Sequence, residues 1–425
     1  MQAIVVTFDR LATTALGCYG NEWIETPHFD RLASQAVVFD RHFAEHVGVS
    51  AGMGFGTGRL PRDASARPYE FEAVWSMLTS IAEIELDLLT EFDVLPWSMM
   101  LKKTSRTLIA ARHEPDPKPD EIPFACLVKA ACNLLATPHE EASRIVWLHS
   151  AGVPEPWLPP EGFATLYFDE YEERGCEMAT VTRDNWGTHP AAYAGYVSLL
   201  DHWLGELVTA VQAVAQTEPT LLIIAAARGG DWMQLPIEHA GQPVIDETAS
   251  PLLEEVVEQR IRAREPIAPR EAISLSDTMT RTPLLLRLFD QGAFASEFAG
   301  TRSNRLIQTA DLSATLLDYF QLPVTPSLSE GRSLLQELAE SHSPREESCF
   351  TDGAGSRGIR TAEWSCLVDD AATANEAEPS AKLFAKPEDI WEVNDVLGQQ
   401  REIAASLVAR LNEILPAAKA ELDPQ

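Results

Sequence analysis

Ala3-Ile4-Val5-Val6-Thr7-Phe8-Asp9 is a short apolar run, rich in β-branched residues, that ends in a carboxylate. Such a run is typical of a buried strand in a parallel sheet, because helices cover both faces of that sheet. The carboxyl ends of parallel strands form the edge at which α/β proteins bind their ligands. The sequence therefore predicts that Asp9 lies at this edge, with Arg10 directly after it.

Four further motifs follow within the first 61 residues. Leu16-Gly17-Cys18-Tyr19-Gly20-Asn21 is followed by Thr26-Pro27-His28-Phe29-Asp30, a proline-marked turn that leads into a helix. Val37-Val38-Phe39 is a second short strand, and Thr57-Gly58-Arg59-Leu60-Pro61 closes the unit. Together, in this order, they resemble the N-terminal signature of the sulfatase family, within the alkaline-phosphatase-like superfamily.

The resemblance implies a divalent-cation site, and the chain departs from it. In the family, two adjacent carboxylates end the first strand, because a hard cation needs several anionic oxygens. Here Asp9 is followed by Arg10, and the later Ser-Asp-His-Gly motif corresponds to Ala226-Ala227-Arg228-Gly229. We therefore expect no Ca²⁺ and no other cofactor. We predict instead that Asp9, Arg10 and Arg228 form a ligand-binding group in which an arginine pairs with Asp9 in place of the metal.

The family nucleophile is also missing at its expected position. It is a cysteine, converted to formylglycine, that lies nine residues before the threonine of the Thr-Gly-Arg motif. Counting back from Thr57 gives Gly48, which has no side chain to convert. Four residues remain as weak candidates for a rearranged catalytic site: Ser50, His46, His149 and His239. The surrounding glycines favour a pliable polar loop, and a histidine at a strand end, such as His149, is more often a satisfied core residue than a ligand.

The resemblance implies an α/β fold with a large, mostly parallel sheet sandwiched by helices and a small C-terminal antiparallel-sheet subdomain. Residues 1–345 would form the large domain, and 346–425 the small one with its closing helix. The resemblance breaks down at 62–123 and 230–281. Within the first of these stretches, apolar spacing from Phe71 to Phe92 predicts a helix.

Composition restricts the partners. The formal net charge is -31, from 33 Lys and Arg against 64 Asp and Glu, which argues against a nucleic-acid or anionic-membrane partner. The six cysteines lack metal-ligand spacing, so we expect small buried side chains in a reducing compartment. Without a leader pattern or a run of 18 apolar residues, the expected location is the cytoplasm.

Three classes of function stay open at this stage. The first is a sulfatase-like or phosphatase-like hydrolase with a rearranged site. The second is a binding module in which Arg10 and Arg228 recognise a sulfated or phosphorylated small molecule. The third is a structural or regulatory protein with an unknown protein partner. The glycine, proline and apolar positions of the family motifs are present, whereas nearly all of the metal-binding and catalytic positions differ. This pattern favours a pseudoenzyme over an active sulfatase.

Overall fold

The computed structural model of the chain describes fourteen stretches of sequence. They are residues 1–48, 52–59, 73–92, 105–109, 118–137, 143–167, 189–230, 232, 275–289, 297–326, 328–339, 343–352, 355–370 and 380–416.

A sheet of eight strands forms the centre of the fold. Its strands are β1 Gln2–Arg10, β2 Val37–Phe43, β3 Glu85–Thr90, β4 Ser105–Ile109, β5 Arg144–Gly152, β6 Thr220–Arg228, β7 Leu284–Phe289 and β8 Arg302–Gln308. They lie in the order β4-β3-β5-β1-β6-β7-β2-β8. Five neighbouring pairs are parallel, and the two pairs made by β7 are antiparallel. The prediction of a mostly parallel sheet is confirmed.

Helices cover both faces of this sheet. Those described are α1 Pro27–Ala33, α2 Met53–Thr57, α3 Ala73–Ser76, α4 Pro123–Leu135, α5 Glu161–Ala164, α6 Pro190–Val214, α7 Asp277–Thr280, α8 Ala310–Tyr319, α9 Leu334–Leu338 and α10 Arg401–Ile414. Short 3₁₀ turns lie at Thr13–Ala15 and Gly17–Tyr19, and a π turn at Met77–Ile81. Among these helices, none combines the length and the apolar character that a bilayer crossing requires.

Strand β1 shows why the sheet is buried on both sides. Ile4, Val6 and Phe8 point into one apolar core, which is completed by α4 and α6. Ala3 and Val5 point into the other, where α8 packs. Each large aliphatic side chain contributes about 1.5–3 kcal/mol when it is fully buried. The continuous apolar run at the start of the chain therefore fixes the middle of the sheet.

A second sheet of four antiparallel strands lies in the C-terminal part. Its strands are β9 Glu347–Thr351, β10 Ser356–Thr361, β11 Trp364–Asp369 and β12 Ser380–Ala385. Apolar side chains of this sheet and of α10 form a separate core, which includes Ile359, Cys366 and Leu411. The expected small antiparallel sheet is confirmed, and the domain boundary at residue 345 stays a prediction.

The helix predicted from Phe71 to Phe92 is wrong over its second half. Within the described residues 73–92, Ala73–Ser76 is α-helical, a π turn follows, and Glu85–Thr90 is strand β3. Successive side chains of β3 are buried from Leu86 to Thr90, so both faces of the strand are covered. An apolar run with two buried faces cannot be distinguished from a buried helix by periodicity alone.

Candidate functional site

The parallel strands β1 and β6 bring the predicted ligand-binding residues together. The two strands are direct neighbours, and the Cα atoms of Arg10 and Arg228 are opposite each other in the ladder. Nη2 of Arg228 donates a hydrogen bond to Oδ2 of Asp9 over 2.7 Å. The structure thus contains the predicted pair of an arginine with Asp9, which places a guanidinium at the carboxyl edge of the sheet. That these residues bind a ligand stays a prediction.

A second contact fixes Arg228 in place. The residue is only 9% exposed, and its Nη1 donates to the carbonyl oxygen of Val47 over 3.0 Å. Val47 belongs to the loop after β2, and its N–H donates to the carbonyl of Thr351 in β9. One guanidinium therefore joins β1, β6 and the loop that contains Gly48. A charge-assisted bond in so buried a position is stronger than the same bond in water.

Arg10 is held more loosely. Its Nη1 lies 2.9 Å from Oε1 of Glu155, and its Nε lies 3.9 Å from Oδ2 of Asp9. The side chain of Glu155 is 63% exposed, whereas that of Arg10 is 21% exposed. Exposed ion pairs are worth only about 0–1 kcal/mol. The Arg10–Glu155 pair is thus open to exchange, whereas the pair between Arg228 and Asp9 is enclosed.

Gly48 lies against the backbone of the C-terminal sheet. A Cβ atom built on Gly48 would overlap the carbonyl oxygen of Asp352, the residue that follows β9. Asp352 is itself held, since its Oδ1 accepts from the N–H groups of Gly355 and Ser356. With Asp352 in this position, only glycine fits at residue 48.

His149 belongs to a buried polar network. Trp147 Nε1 donates to Thr7 Oγ1 over 2.8 Å, and that hydroxyl lies 2.7 Å from Nδ1 of His149. Because the indole uses the hydroxyl as an acceptor, the hydroxyl proton is available to Nδ1. Burial lowers the pKa of His149 to about 4, although the nearby Asp9 acts in the opposite direction. His149 is therefore a neutral core histidine at pH 7.

The other weak catalytic candidates divide into two groups. His46 is half-buried, forms a β-bridge with Thr351, and has a pKa lowered by burial to about 4. A neutral imidazole of this kind has the protonation state of a general base. Ser50 and His239 lie outside the described residues, so their roles stay predictions.

Comparisons with known proteins give both local sequence similarity and overall structural similarity. No protein-family profile matches the chain. A 76-residue stretch is 39% identical to iduronate 2-sulfatase of Mus musculus, covering 18% of this chain and 13% of that protein. The phosphonate monoester hydrolase of Agrobacterium radiobacter has a similar structure, with a TM-score of 0.64 at 14% identity. That match covers 97% of this chain and 95% of the hydrolase. A structure described as a 2-O GAG sulfatase gives a TM-score of 0.65 at 15% identity, over 97% of this chain and 91% of that one.

In one stretch of its sequence and in its overall fold, the chain is similar to proteins of the alkaline-phosphatase-like superfamily. Its scaffold is that of the sulfatases, which matches the fold predicted from the motifs. The local match to the curated sulfatase spans about one eighth of that protein, so activity and substrate do not transfer with the fold.

The residues present do not suit the superfamily's divalent cation. Ca²⁺ takes six to eight oxygen ligands, whereas the aligned positions here provide one carboxylate, Asp9. Ala227 offers no side-chain oxygen, and the guanidinium of Arg228 lies at hydrogen-bonding distance from Asp9. A cation placed beside that carboxylate would face a fixed positive charge. Within the described stretches, no three His, Cys, Asp or Glu side chains are grouped as a metal site would need.

Sequence reasoning missed Glu45, a buried carboxylate in the loop after β2. Its Oε1 accepts a hydrogen bond from the N–H of Ala310 over 2.6 Å, at the first residue of α8. Burial raises the pKa of Glu45 to about 7, and the bond to Ala310 acts against this rise. The sequence signal was a carboxylate two residues after Phe43, the apolar end of β2. Its contact with α8, 265 residues later in the chain, carries no local pattern.

Proposed function

We propose that this chain is a sulfatase-fold protein that has lost sulfatase catalysis and that binds an oxyanion carried by a small molecule, such as a sulfated or phosphorylated sugar. The ion pair between Arg228 and Asp9 carries this proposal. A positive side chain there replaces a cation that would itself have faced an anionic substrate. The carboxyl edge of the sheet therefore still presents a positive charge to an oxyanion, and this charge comes from a side chain and not from a metal.

The surroundings of Gly48 support the loss of catalysis. Ester cleavage by the family route requires a nucleophile at this position. The backbone of Asp352 occupies the space into which the side chain of such a residue would extend. Restoring a cysteine would therefore require the loop after β9 to move. The position is unsuited to a nucleophile in geometry as well as in sequence.

Arg10 is the residue through which an oxyanion would enter. It is the more exposed of the two site arginines, and its partner Glu155 is an exposed carboxylate. A sulfate or phosphate group offers the guanidinium the same geometry that a carboxylate offers, with more charge in the case of phosphate. We infer that the ligand displaces Glu155 from Arg10 and leaves the pair between Arg228 and Asp9 intact.

Two measurements on the full chain test the proposal. Turnover of p-nitrophenyl sulfate and p-nitrophenyl phosphate, with Ca²⁺ or with EDTA, should not exceed the buffer rate. Sulfate and phosphate should bind, as seen by titration calorimetry against chloride at matched ionic strength. Arg10→Gln should weaken this binding about tenfold, which is the scale of one charge-assisted hydrogen bond. Glu155→Gln should strengthen it, because it removes the internal competitor.

The opposite results would contradict the proposal in separate ways. Turnover that disappears in His46→Gln would show a rearranged hydrolase. Oxyanion binding that is the same in wild type, Arg10→Gln and Glu155→Gln would remove Arg10 from the site. Arg31→Gln is the matched control, because it removes one positive charge from an exposed position on α1.

A further inference from the structure

A second group of charges lies where the C-terminal sheet meets the large sheet. We call it the junction cluster, and it consists of Arg41, Asp277, Arg281, Arg360, Lys386 and Glu392. Asp277 and Arg281 come from α7 and the residue after it, and the last three come from the C-terminal part. Asp277 Oδ2 lies 3.0 Å from Arg281 Nε, and Lys386 Nζ lies 3.2 Å from Glu392 Oε1. The N–H of Asp277 donates to Glu392 over 3.0 Å.

Most of the cluster is buried. The side chains of Lys386, Glu392, Arg360 and Asp277 are 1%, 5%, 6% and 8% exposed, while Arg281 reaches 25%. Buried charges require compensation, because removing an ion from water is costly. Two carboxylates are present for four cationic groups. Within the described part of the chain, the cluster therefore has an excess of two positive charges.

Arg360 and Arg41 account for this excess. The Nε of Arg360 lies 3.9 Å from Asp277 Oδ1, too far for a hydrogen bond, and finds no other partner among the described residues. Its guanidinium carbon lies 5.7 Å from the ring of Phe43, which is the β-bridge partner of Arg281. Arg41 is two residues before Phe43 on β2 and so lies on the same face of the strand.

The charge of Arg41 acts on Arg360. Burial lowers the pKa of Arg360 to about 10, Asp277 opposes this shift, and Arg41 and Arg281 add repulsion. Arg41 is half-buried, and its side chain makes no hydrogen bond or ion pair with any residue that the structure describes. Arg281 and Arg360 both lie near Asp277, and the charges of Arg41 and Arg281 both act on Arg360. This arrangement occurs in a protein whose formal charge is -31.

We propose that Arg41, Arg281 and Arg360 form an oxyanion site at the junction of the two sheets, separate from the Arg10 site. Its ligand is a tetrahedral sulfate or phosphate group, free or carried on a sugar. Guanidinium groups from three directions suit the several oxygens of such an anion. The half-buried Arg41 and Arg281 provide the open side, and Arg360 forms the floor. The proposal does not depend on oxyanion binding at Arg10.

Thermal unfolding and titration calorimetry of the full chain test the site. The probes are inorganic sulfate, inorganic phosphate and glucose 6-sulfate, each against chloride at matched ionic strength. In chloride, Arg41→Gln should raise the melting temperature, because it removes repulsion toward Arg360. The same variant should bind the anion about tenfold more weakly, on the scale of one charged contact. It should also lose most of the stabilisation that the anion gives to the native state.

Two other variants make the result specific. Arg31→Gln, at an exposed position of α1, should leave both the melting temperature and the anion response unchanged. Arg10→Gln should leave the junction site intact, so binding that is lost only in Arg10→Gln would overturn this proposal and keep the earlier one. Binding lost only in Arg41→Gln would do the reverse. A wild-type chain that binds none of the three probes would overturn both. Binding of glucose 6-sulfate without inorganic sulfate would identify the esterified source of the anion.

Discussion

At the scale of single residues, charge replacement is the main feature of the site. Arg228 presents a fixed positive charge to Asp9 where the superfamily would bind a cation, and the side chain is too buried to leave easily. Gly48, in contrast, is constrained by lack of space, because any side chain at this position would overlap the carbonyl oxygen of Asp352. Both residues contact residues that are distant in sequence: Arg228 contacts Asp9 and Val47, and Gly48 lies against Asp352. Substitution of either one should therefore affect folding first.

Gly48→Cys should lower the free energy of unfolding by at least about 1–3 kcal/mol, the usual cost of overpacking a closed position. The added Cβ would overlap the carbonyl oxygen of Asp352, which is backbone and cannot rotate away. Urea denaturation provides the measurement. Gly398→Ala is the control, since a Cβ at that position meets no atom within 4 Å. Equal stability of the two variants would show that the loop after β9 does not close residue 48.

The pair between Asp9 and Arg228 should show a coupling energy of about 1–3 kcal/mol in a double-mutant cycle. The single variants Asp9→Ala and Arg228→Met each leave one charge without its partner, whereas the double variant leaves none. Unfolding in urea gives the four free energies. The pair Lys118–Glu121, with side chains 74% and 47% exposed, is the control, and its coupling should be much weaker because solvent screens it. A coupling near zero for the buried pair would mean that Arg228 does not replace a metal charge.

At the scale of elements, the sheet contains polar contacts that its sequence pattern conceals. Strand β3 carries Asp87 on a buried position, and β5 begins with Arg144. Nε of Arg144 donates to Oδ2 of Asp87 over 3.1 Å, and the two side chains are 4% and 2% exposed. This pair ties neighbouring strands together at the end of the sheet opposite to Asp9. It also explains how a carboxylate is tolerated in a strand with two covered faces.

Asp87→Ala should cost about 3–5 kcal/mol of stability, because it leaves the Arg144 guanidinium buried and unpaired. Adding Arg144→Met to this variant should recover part of the loss, since the second substitution removes the stranded charge. Thermal and urea unfolding would measure both. Glu85→Ala, on a half-buried position of the same strand, should change stability by only about 0.5 kcal/mol. A loss in the double variant as large as in Asp87→Ala would contradict this account.

At the scale of the whole molecule, burial keeps three histidines in the neutral form. It lowers the pKa values of His42, His46 and His149 to about 4. The unfolded chain binds protons at these residues below about pH 6.5, and the folded chain does so only below about pH 4. Their contribution to stability is therefore complete above about pH 6.5 and is lost as the pH falls toward about 4. Glu45 and Asp201, with pKa values raised by burial to about 7 and about 6, act in the opposite direction.

His149→Gln should make this acid sensitivity weaker. Relative to wild type, the variant should be most destabilised near pH 7, and the difference should shrink by about 3 kcal/mol as the pH falls to about 4. The measurement is the free energy of unfolding in urea at a series of pH values. His202→Gln, at an exposed position on α6, is the matched control and should run parallel to wild type. A difference between wild type and His149→Gln that does not depend on pH would show that His149 is not buried in the neutral form.

The sequence by itself determined the class of fold and the pairing of Asp9 with an arginine at the carboxyl edge of the sheet. The run from Ala3 to Phe8 is short, apolar and rich in β-branched residues, which predicts a central parallel strand, and the strand is buried on both faces. The register of parallel strands then brings Asp9 and Arg228 side by side. Strand β1 was predictable from its local pattern, whereas the fold class and the pairing of Asp9 with Arg228 were predictable from the resemblance to the sulfatase family, whose sheet order implies that the two strand ends are neighbours.

Only the tertiary structure decided the rest of the site. The closure of Gly48 by Asp352, the bond between Glu45 and α8, and the junction cluster each join residues that lie far apart in the chain. Each of these contacts involves single residues, so it produces no repeating pattern of residue types along the sequence. The strand Glu85–Thr90 was misread as a helix for a related reason. Its side chains pack into the two apolar cores on either side of the sheet. A local sequence pattern cannot show which elements cover the two faces of a strand.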